Sequence, residues 1–361
     1  MSRGIPRRPA RGSLRLRLRF ELNKRHPGRR LLAGYHNRNY VAPLGKGLAA
    51  IAGCAPGTYA KFRIPLRTLE VVPRCWEDEQ DVLDAVQGHV RHVPTPLARV
   101  GKKQALHTYV EGLPLGYRYA RGDRIDQRVL VRIVEVMKQI ADVPSAAVPP
   151  RPQGWPKSGD SPEFLRQLVR FAEQRVRQRY RSDFGGLFDS VGIPHDVVTR
   201  FDKPAAGLAR RDFCLLHTDL HRGNLVLLPG GDELLVIDWE IALYGDPLHE
   251  LATHLVRMGY RDEEWETVVE LWKQRFGRGH EIDYDLAVYV AFERAQSVLT
   301  DTMRAAQSLK SHPSPWALAG AAENISRALA VAEIQPPKQR EISQALRAWL
   351  RHRSAPAPSR T

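Results

Sequence analysis

Four polar residues, His217, Asp219, Asn224 and Asp238, stand at the open end of an apolar hairpin. The run His217-Thr218-Asp219-Leu220-His221-Arg222-Gly223-Asn224 leads into apolar residues 225–228. After the turn Pro229-Gly230-Gly231-Asp232, apolar residues 234–237 run back into Asp238-Trp239-Glu240. Transfer of a phosphoryl group to a hydroxyl asks for this set: one carboxylate to take the hydroxyl proton, and hard oxygen donors to hold Mg²⁺ against nucleotide phosphates. Asp219 suits the first task, on the loop entering the hairpin, and Asn224 and Asp238 suit the second. Such residue types also serve as turn and cap residues. The apolar stretches on both sides, beginning at Phe213, instead make this a loop between buried strands.

Residues 217–224, with Ile237-Asp238-Trp239-Glu240, resemble the catalytic and metal-binding segments of the aminoglycoside phosphotransferase and choline kinase family, a branch of the protein-kinase-like fold. Gly245-Asp246-Pro247-Leu248-His249-Glu250-Leu251-Ala252 resembles that family's G-D-P-x-x-D-L-A stretch, with Glu250 where Asp is commoner, and Arg222 replaces the usual proline. In layout the resemblance covers most of residues 31–330; its specific part is 213–252. It implies a bilobal α+β fold with a small β-rich N-lobe and a larger, mostly helical C-lobe. It further implies Asp219 as catalytic base, His217 as the residue orienting the loop, Asn224 and Asp238 as Mg²⁺ ligands, and ATP or GTP as donor. His221 stands two residues after the base, where protein kinases carry a lysine.

In the first lobe, Gly34-Tyr35-His36-Asn37-Arg38-Asn39-Tyr40-Val41 resembles the family's nucleotide-covering loop, which makes Asn37 a candidate cofactor contact. By the same resemblance, the family's phosphate-contacting cation should appear in Tyr59-Ala60-Lys61-Phe62-Arg63-Ile64-Pro65. Alignment on Ile-Pro favours Arg63, while Lys61 shares its face by the two-residue period of a strand. Glu79, early in the next helix, is the expected partner of that cation.

Several elements must position these groups. Leu14, Leu16, Leu18, Phe20 and Leu22 alternate with charged residues, which predicts an amphipathic strand over 14–22. Strands are also expected over 40–44, 59–64 and 105–115, the last breaking at Gly112-Leu113-Pro114 where the chain crosses between lobes. A helix is expected over 76–90, and further helices over 127–142, 162–180, 247–257, 263–276, 286–307, 314–331 and 340–351. The Pro-, Ser- and Gly-rich stretch 143–161 reads as a loop. The resulting division is a disordered basic tail at 1–13, an N-lobe at 14–111, a helical C-lobe with the hairpin at 112–337, and a basic helix or tail at 338–361.

Composition narrows the partners. The chain has 361 residues, 43% of them hydrophobic, enough for two cores. No run approaches the ~18–20 apolar residues needed to cross a bilayer, and the arginine-rich amino end has no apolar core of a secretion signal. Three widely spaced cysteines exclude a disulfide framework and a cysteine zinc site, and fit a reducing cytoplasm. The net charge of +15 sits in the tails: eleven Lys/Arg against Glu21 in residues 1–30, and six against Glu341 in residues 338–361. No aromatic residues interleave with these arginines, so solvated tails are expected rather than a nucleic-acid footprint.

Other motifs fail on spacing. His249 and His254 are five apart, not the four of a zinc H-E-x-x-H helix; Gly45-Lys46-Gly47 lacks the rest of a P-loop; no G-x-S-x-G is present. Trp265, Trp272 and Phe276 at helical spacing read as core. Residues 262–301 hold ten acids against four bases, which suits a cationic acceptor such as an aminoglycoside or an amino alcohol. The basic tails suit the alternatives: a kinase for Ser or Thr of an acidic peptide, for example a natural-product precursor, or a non-catalytic pseudokinase or nucleic-acid-binding scaffold. Retention of Asp219, Asn224 and Asp238 argues against a scaffold.

Overall fold

The computed structural model describes residues 10–32, 37–66, 69–101, 104–231, 233–277, 279, 281–311 and 314–354. Its first part comprises β1 (Ala10–Arg11), α1 (Leu14–Asn23), β2 (Arg30–Leu32), β3 (Asn37–Pro43), α2 (Lys46–Ala52), β4 (Tyr59–Pro65), α3 (Glu79–Val86), β5 (Pro96–Arg99) and β6 (Ala105–Thr108). The strands form one sheet in the order β1-β5-β6-β4-β3-β2, antiparallel except at the β1–β5 edge. In β4 the two-residue period separates two functions. Ala60 and Phe62 turn into an apolar core with Tyr40, Leu106, Leu16 and Phe20, the Phe62 ring 4.8 Å from Tyr40 and 5.1 Å from Phe20. Lys61 and Arg63 fall on the opposite face, Lys61 across from His107 and Arg63 across from Ala105.

The predicted strand over 14–22 is instead the helix α1. Ser13 caps it, its hydroxyl accepting from Leu16 N at 3.1 Å. The segment LRLRLRFELN has no β-branched residue, and Leu and Arg are strong helix formers. Only Leu16, Phe20 and Asn23 are buried, at the four- and three-residue steps of one helix face. Asn23 fixes the following turn, donating to Pro43 O (3.0 Å) and accepting from Gly45 N (2.9 Å). Of the stretch read as a disordered tail, residues 1–9 lie outside the described residues, and Ala10–Arg11 pair with Ala98–Arg99. The Gly45-Lys46-Gly47 turn opens the short helix α2, which sequence periodicity did not reveal.

The second part is helical around two small sheets: β7 (Leu113–Pro114), α4 (Leu115–Arg118), α5 (Gln127–Ala141), α6 (Ser161–Arg170), α7 (Arg181–Ser190), α8 (Asp202–Ala206), β8 (Cys214–Leu216), β9 (Leu225–Leu227), β10 (Leu234–Val236), β11 (Leu243–Gly245), α9 (Pro247–Met258), α10 (Asp262–Phe276), α11 (Ile282–Ser311), α12 (Pro315–Val331) and α13 (Gln339–Ser354). The protein is thus α+β, a small N-terminal sheet followed by a helical part. The expected helices are present within a few residues of their predicted ends. That over 162–180 ends as α-helix at Arg170 and continues as a π-helix over Phe171–Gln178, and α7 was not anticipated. The β9–β10 hairpin pairs Leu227 with Leu234 and Leu225 with Val236. All six strand residues are buried, which explains their unbroken apolar run. At the far end α13 is docked rather than loose: Trp349 stacks on Phe184 at 5.4 Å and donates to Asp183 O at 2.7 Å.

Gly112 shows why the chain breaks where it enters β7. A Cβ there would lie 2.6 Å from Leu227 O and from Val226 Cγ1, so only glycine lets the crossing segment lie against β9. Among the described residues no helix is long and apolar enough to cross a membrane.

Candidate active site

The loop between β8 and β9 carries most of the predicted residues, and buried hydrogen bonds fix its shape. Glu250 on α9 accepts from the amides of both His217 and Thr218. Burial pushes its carboxyl up to about 7, against the pull of those two amides and of Arg257. Thr218 stands at φ 60° and Asp238 at φ 69°, a left-handed conformation that costs a non-glycine residue about 1–3 kcal/mol. The Thr218 hydroxyl offsets part of this by donating to Ile241 O at 2.7 Å. His217 is fully buried; its Nε2 donates to Ile237 O at 3.1 Å and its Nδ1 accepts from Asp219 N at 3.2 Å. That pattern defines the neutral Nε2–H tautomer, and burial accordingly pushes its pKa down to about 4. The imidazole therefore ties the loop to the end of β10.

Asp219 is part-buried and surrounded by donors. One carboxylate oxygen pairs with Arg257 on α9; the other accepts from Asn224 Nδ2 at 2.8 Å and lies 3.5 Å from His221 Nε2. Burial alone would raise its pKa, but the Arg257 guanidinium, helped by His221 and His217, holds it below the usual carboxylate range. Arg257 is held in turn by Glu293 of α11, with Nε and Nη2 at 3.1 and 3.0 Å from one carboxylate oxygen. Sequence reasoning missed both Arg257 and Glu293. Their contacts span 38 and 36 residues, and no local spacing signals them.

Asn224 donates its amide nitrogen to Asp219 twice, to the carboxylate and to the backbone oxygen at 3.0 Å. Its carbonyl oxygen is thereby fixed as the free end of the amide. Asp238, one hairpin later, receives no hydrogen bond from the described residues. Burial and the neighbouring carboxylates of Glu79 and Glu240 push its pKa up to about 7, with Lys61 and Arg63 opposing. An amide oxygen and an unpaired carboxylate crowded by other carboxylates are donors that fit Mg²⁺, a hard cation that takes one or two protein oxygens beside phosphate and water. Ile237 N donates to Asn224 O at 3.0 Å, which joins the two segments directly.

Arg63 and Lys61 part company. Arg63 is buried and clamped between two carboxylates, Nε 2.9 Å from Glu79 and Nη2 2.5 Å from Glu240. Glu79 is the expected partner, and it also accepts from Trp239 N at 2.9 Å. Burial would raise Glu79, but Arg63 dominates and carries it well below the usual carboxylate range. Glu240, which sequence reasoning had quoted without a role, is the second jaw, and Arg74 approaches it at 3.6 Å. Lys61 is half-buried on the same face, with no ion pair to any described residue. Gly34, Tyr35 and His36 lie outside the described residues, as does the side chain of Asn37, whose backbone pairs with Pro65.

Two departures from the resembled motifs have structural uses. Arg222 is buried and donates to Met258 O (2.8 Å), Tyr119 O (2.8 Å) and Ala120 O (2.9 Å), fastening the end of α9 to the segment after α4. His254 bonds Leu220 O (2.7 Å) and Tyr260 Oη (2.8 Å), while His249 packs against Phe164 and Tyr289. The two histidines therefore do not converge. Among the described residues no three His, Cys, Asp or Glu side chains gather as a metal site.

Between α10 and α11 lies a cavity of about 760 Å³, floored by Val269, Leu286 and Val290 and rimmed by Glu266 and by Glu270 and Asp283, both paired with Lys273 at 3.4 and 2.6 Å. Trp265, expected in the core, is only partly buried and forms one wall; Trp272 is buried, and Phe276, also partly buried, stacks on it at 4.5 Å. Arg294 lines the cavity one residue after Glu293, so the cavity and the Asp219 network meet on α11.

A model of the phosphotransferase enzyme family matches residues 28–289. A search of the curated proteins gives no match. Among solved structures the chain is similar to a choline/ethanolamine kinase family protein from Mesorhizobium loti, at 17% identity and a TM-score of 0.53, covering 92% of this chain and 98% of that one. It is similar to a type I macrolide 2'-phosphotransferase at 17% identity and a TM-score of 0.52, covering 88% and 96%. The ethanolamine kinase of Plasmodium vivax matches at 13% identity and a TM-score of 0.50, covering 87% and 84%. At such identities the likeness to these structures is one of fold.

Proposed function

Since this chain belongs to the phosphotransferase enzyme family and acts on a hydroxyl acceptor, we propose that it moves the γ-phosphoryl group of ATP, with Mg²⁺, to a small acceptor carrying amino groups. One observation carries the reading: an ionised, donor-locked Asp219 and an unpaired Asp238 stand at one end of the same hairpin, joined through Asn224. Asp219 orients the acceptor hydroxyl and takes its proton late, which needs no raised pKa because the transition state is loose. Asn224 and Asp238 hold Mg²⁺, which, when bound, neutralises charge on the phosphate oxygens. Lys61 contacts the α- and β-phosphates, and the Arg63–Glu79–Glu240 clamp fixes β4 beneath it.

The excess of acids over bases in residues 262–301, which span α10 and the first part of α11, favours an amine-bearing acceptor. Choline and ethanolamine, which appear in the names of two similar proteins, belong to that class. The three cysteines are free, which suits the reducing cytoplasm as its compartment.

The test is Mg²⁺-dependent nucleotide turnover of the purified chain against amino alcohols, aminoglycosides and Ser/Thr peptides. Turnover should rise with one amine-bearing acceptor. Asp219→Asn should lower it about a hundredfold or more with nucleotide binding intact, and Asp238→Ala should abolish Mg²⁺-dependent nucleotide binding in calorimetry. Wild-type turnover in Asp219→Asn would refute the assignment.

A further inference from the structure

The helix α1 has two apolar faces, and only one is covered. A step of two residues turns an α-helix by about 200°, so apolar residues at every second position divide into two opposed stripes. Leu16 and Phe20 fill one stripe and are buried in the core of the N-terminal sheet. Leu14, Leu18 and Leu22 form the other, four residues apart, and are 84%, 60% and 54% exposed. Three leucines in register on solvent mark an interaction surface, unlike apolar residues exposed singly.

The charges around the stripe say what covers it. Arg15, Arg17 and Arg19 are exposed between the leucines, Arg17 donating to Val100 O at 3.2 Å and Arg19 lying beside Gly47, and Arg25, Arg29 and Arg30 are exposed just beyond the helix. The acid of this segment, Glu21, is already paired with Lys24 at 2.7 Å. In sequence, residues 1–9 add three more arginines. Such a surface repels a second copy of itself. It is also convex, since its leucines project from a single helix packed by its opposite side. A polar surface that is anionic, extended and apolar beneath meets both requirements, and long arginine side chains can reach its charged groups while the leucines insert. We propose that α1 docks this protein on the anionic face of a lipid bilayer, with Leu14, Leu18 and Leu22 inserted and the surrounding arginines on the headgroups.

The helix that carries the stripe is seated by Leu16 and Phe20 on the apolar core around Phe62, whereas the catalytic loop belongs to the larger core of the helical part. Docking can thus be tested apart from phosphoryl transfer. The full chain is sedimented with vesicles of phosphatidylcholine and phosphatidylglycerol, and with vesicles of phosphatidylcholine alone. Binding is expected to the anionic vesicles, to weaken with added salt, and to fall by at least about tenfold in the Leu14→Gln/Leu18→Gln/Leu22→Gln variant. Because those leucines are exposed and Gln is a good helix former, circular dichroism and unfolding midpoint should match the parent. The double variant Arg15→Gln/Arg19→Gln should lose the preference for anionic lipid.

Equal vesicle binding by the leucine variant would overturn the proposal, leaving only electrostatic attraction of the tail. No sedimentation with either vesicle would overturn it as well. So would leucine-dependent capture of a soluble acidic amphipathic peptide by a chain that ignores vesicles, or leucine-dependent dimers in light scattering.

Discussion

Lys61 and Arg63 lie two residues apart on one strand face, yet their surroundings give them different work. Arg63 neutralises two buried carboxylates, Glu79 and Glu240, and a buried ion pair broken on one side leaves an uncompensated charge. Arg63→Met should therefore cost about 3–5 kcal/mol of stability, read from denaturant unfolding. Lys61 has no such partner, so Lys61→Met should leave the unfolding midpoint in place and weaken nucleotide binding by about thirtyfold, the worth of one hydrogen bond to a charged group. Equal effects of the two substitutions on nucleotide affinity would show that the clamp opens and Arg63 also reaches the phosphates. The same contrast explains why sequence could not choose between them: alternation puts both on one face, and only the positions of Glu79 and Glu240 separate their roles.

Among the elements, the β9–β10 hairpin and α1 show opposite relations between pattern and structure. The hairpin was legible because its strands are buried on both faces and bounded by a Pro-Gly-Gly turn, so local pattern and tertiary setting agree. In α1 a period-two pattern that suits a strand lies on a helix, because capping and propensity favour helix and the uncovered stripe violates the rule that apolar residues are buried. The crossing into β7 depends on one glycine. Gly112→Ala places a methyl group against the backbone of β9, and the strand cannot yield without breaking its pairing with β7. A loss of about 1–3 kcal/mol is expected in urea unfolding. A midpoint equal to the parent's would show that the crossing segment lies farther from β9 than the structure places it.

At the scale of the whole molecule, four buried neutral imidazoles set its response to acid. Burial pushes His107, His217 and His254 down to about 4 and His249 to about 3. In the unfolded chain each titrates near the ordinary value of about 6.5. Below that pH the unfolded chain binds more protons than the folded one. Stability is thus intact above about 6.5, falls as the pH drops, and is fully lost from this source below the folded values. Each histidine accounts for about 3 kcal/mol. Asp238 and Glu250, pushed up to about 7, take up protons on folding in the same window and offset about half of that loss. The thermal midpoint should therefore drop between pH 6.5 and 4. A midpoint flat across that window would mean that the imidazoles protonate in place.

The sequence by itself determined the longer helices of the second part, the hairpin and the identity of Asp219, Asn224 and Asp238 as candidates, because those features are written in spacings of a few residues. Periodicity, turn residues and a fixed five-residue interval need no knowledge of distant chain. Tertiary structure decided what crosses longer intervals: Arg257 and Glu293 behind Asp219, Glu240 as the second partner of Arg63, Glu250 under the loop, and which leucines of α1 meet a core. A charge is placed by the counter-charge that folding brings to it, and an apolar residue is buried only when another element arrives to cover it. Neither condition is a property of the local sequence, so both became visible only when the chain closed on itself.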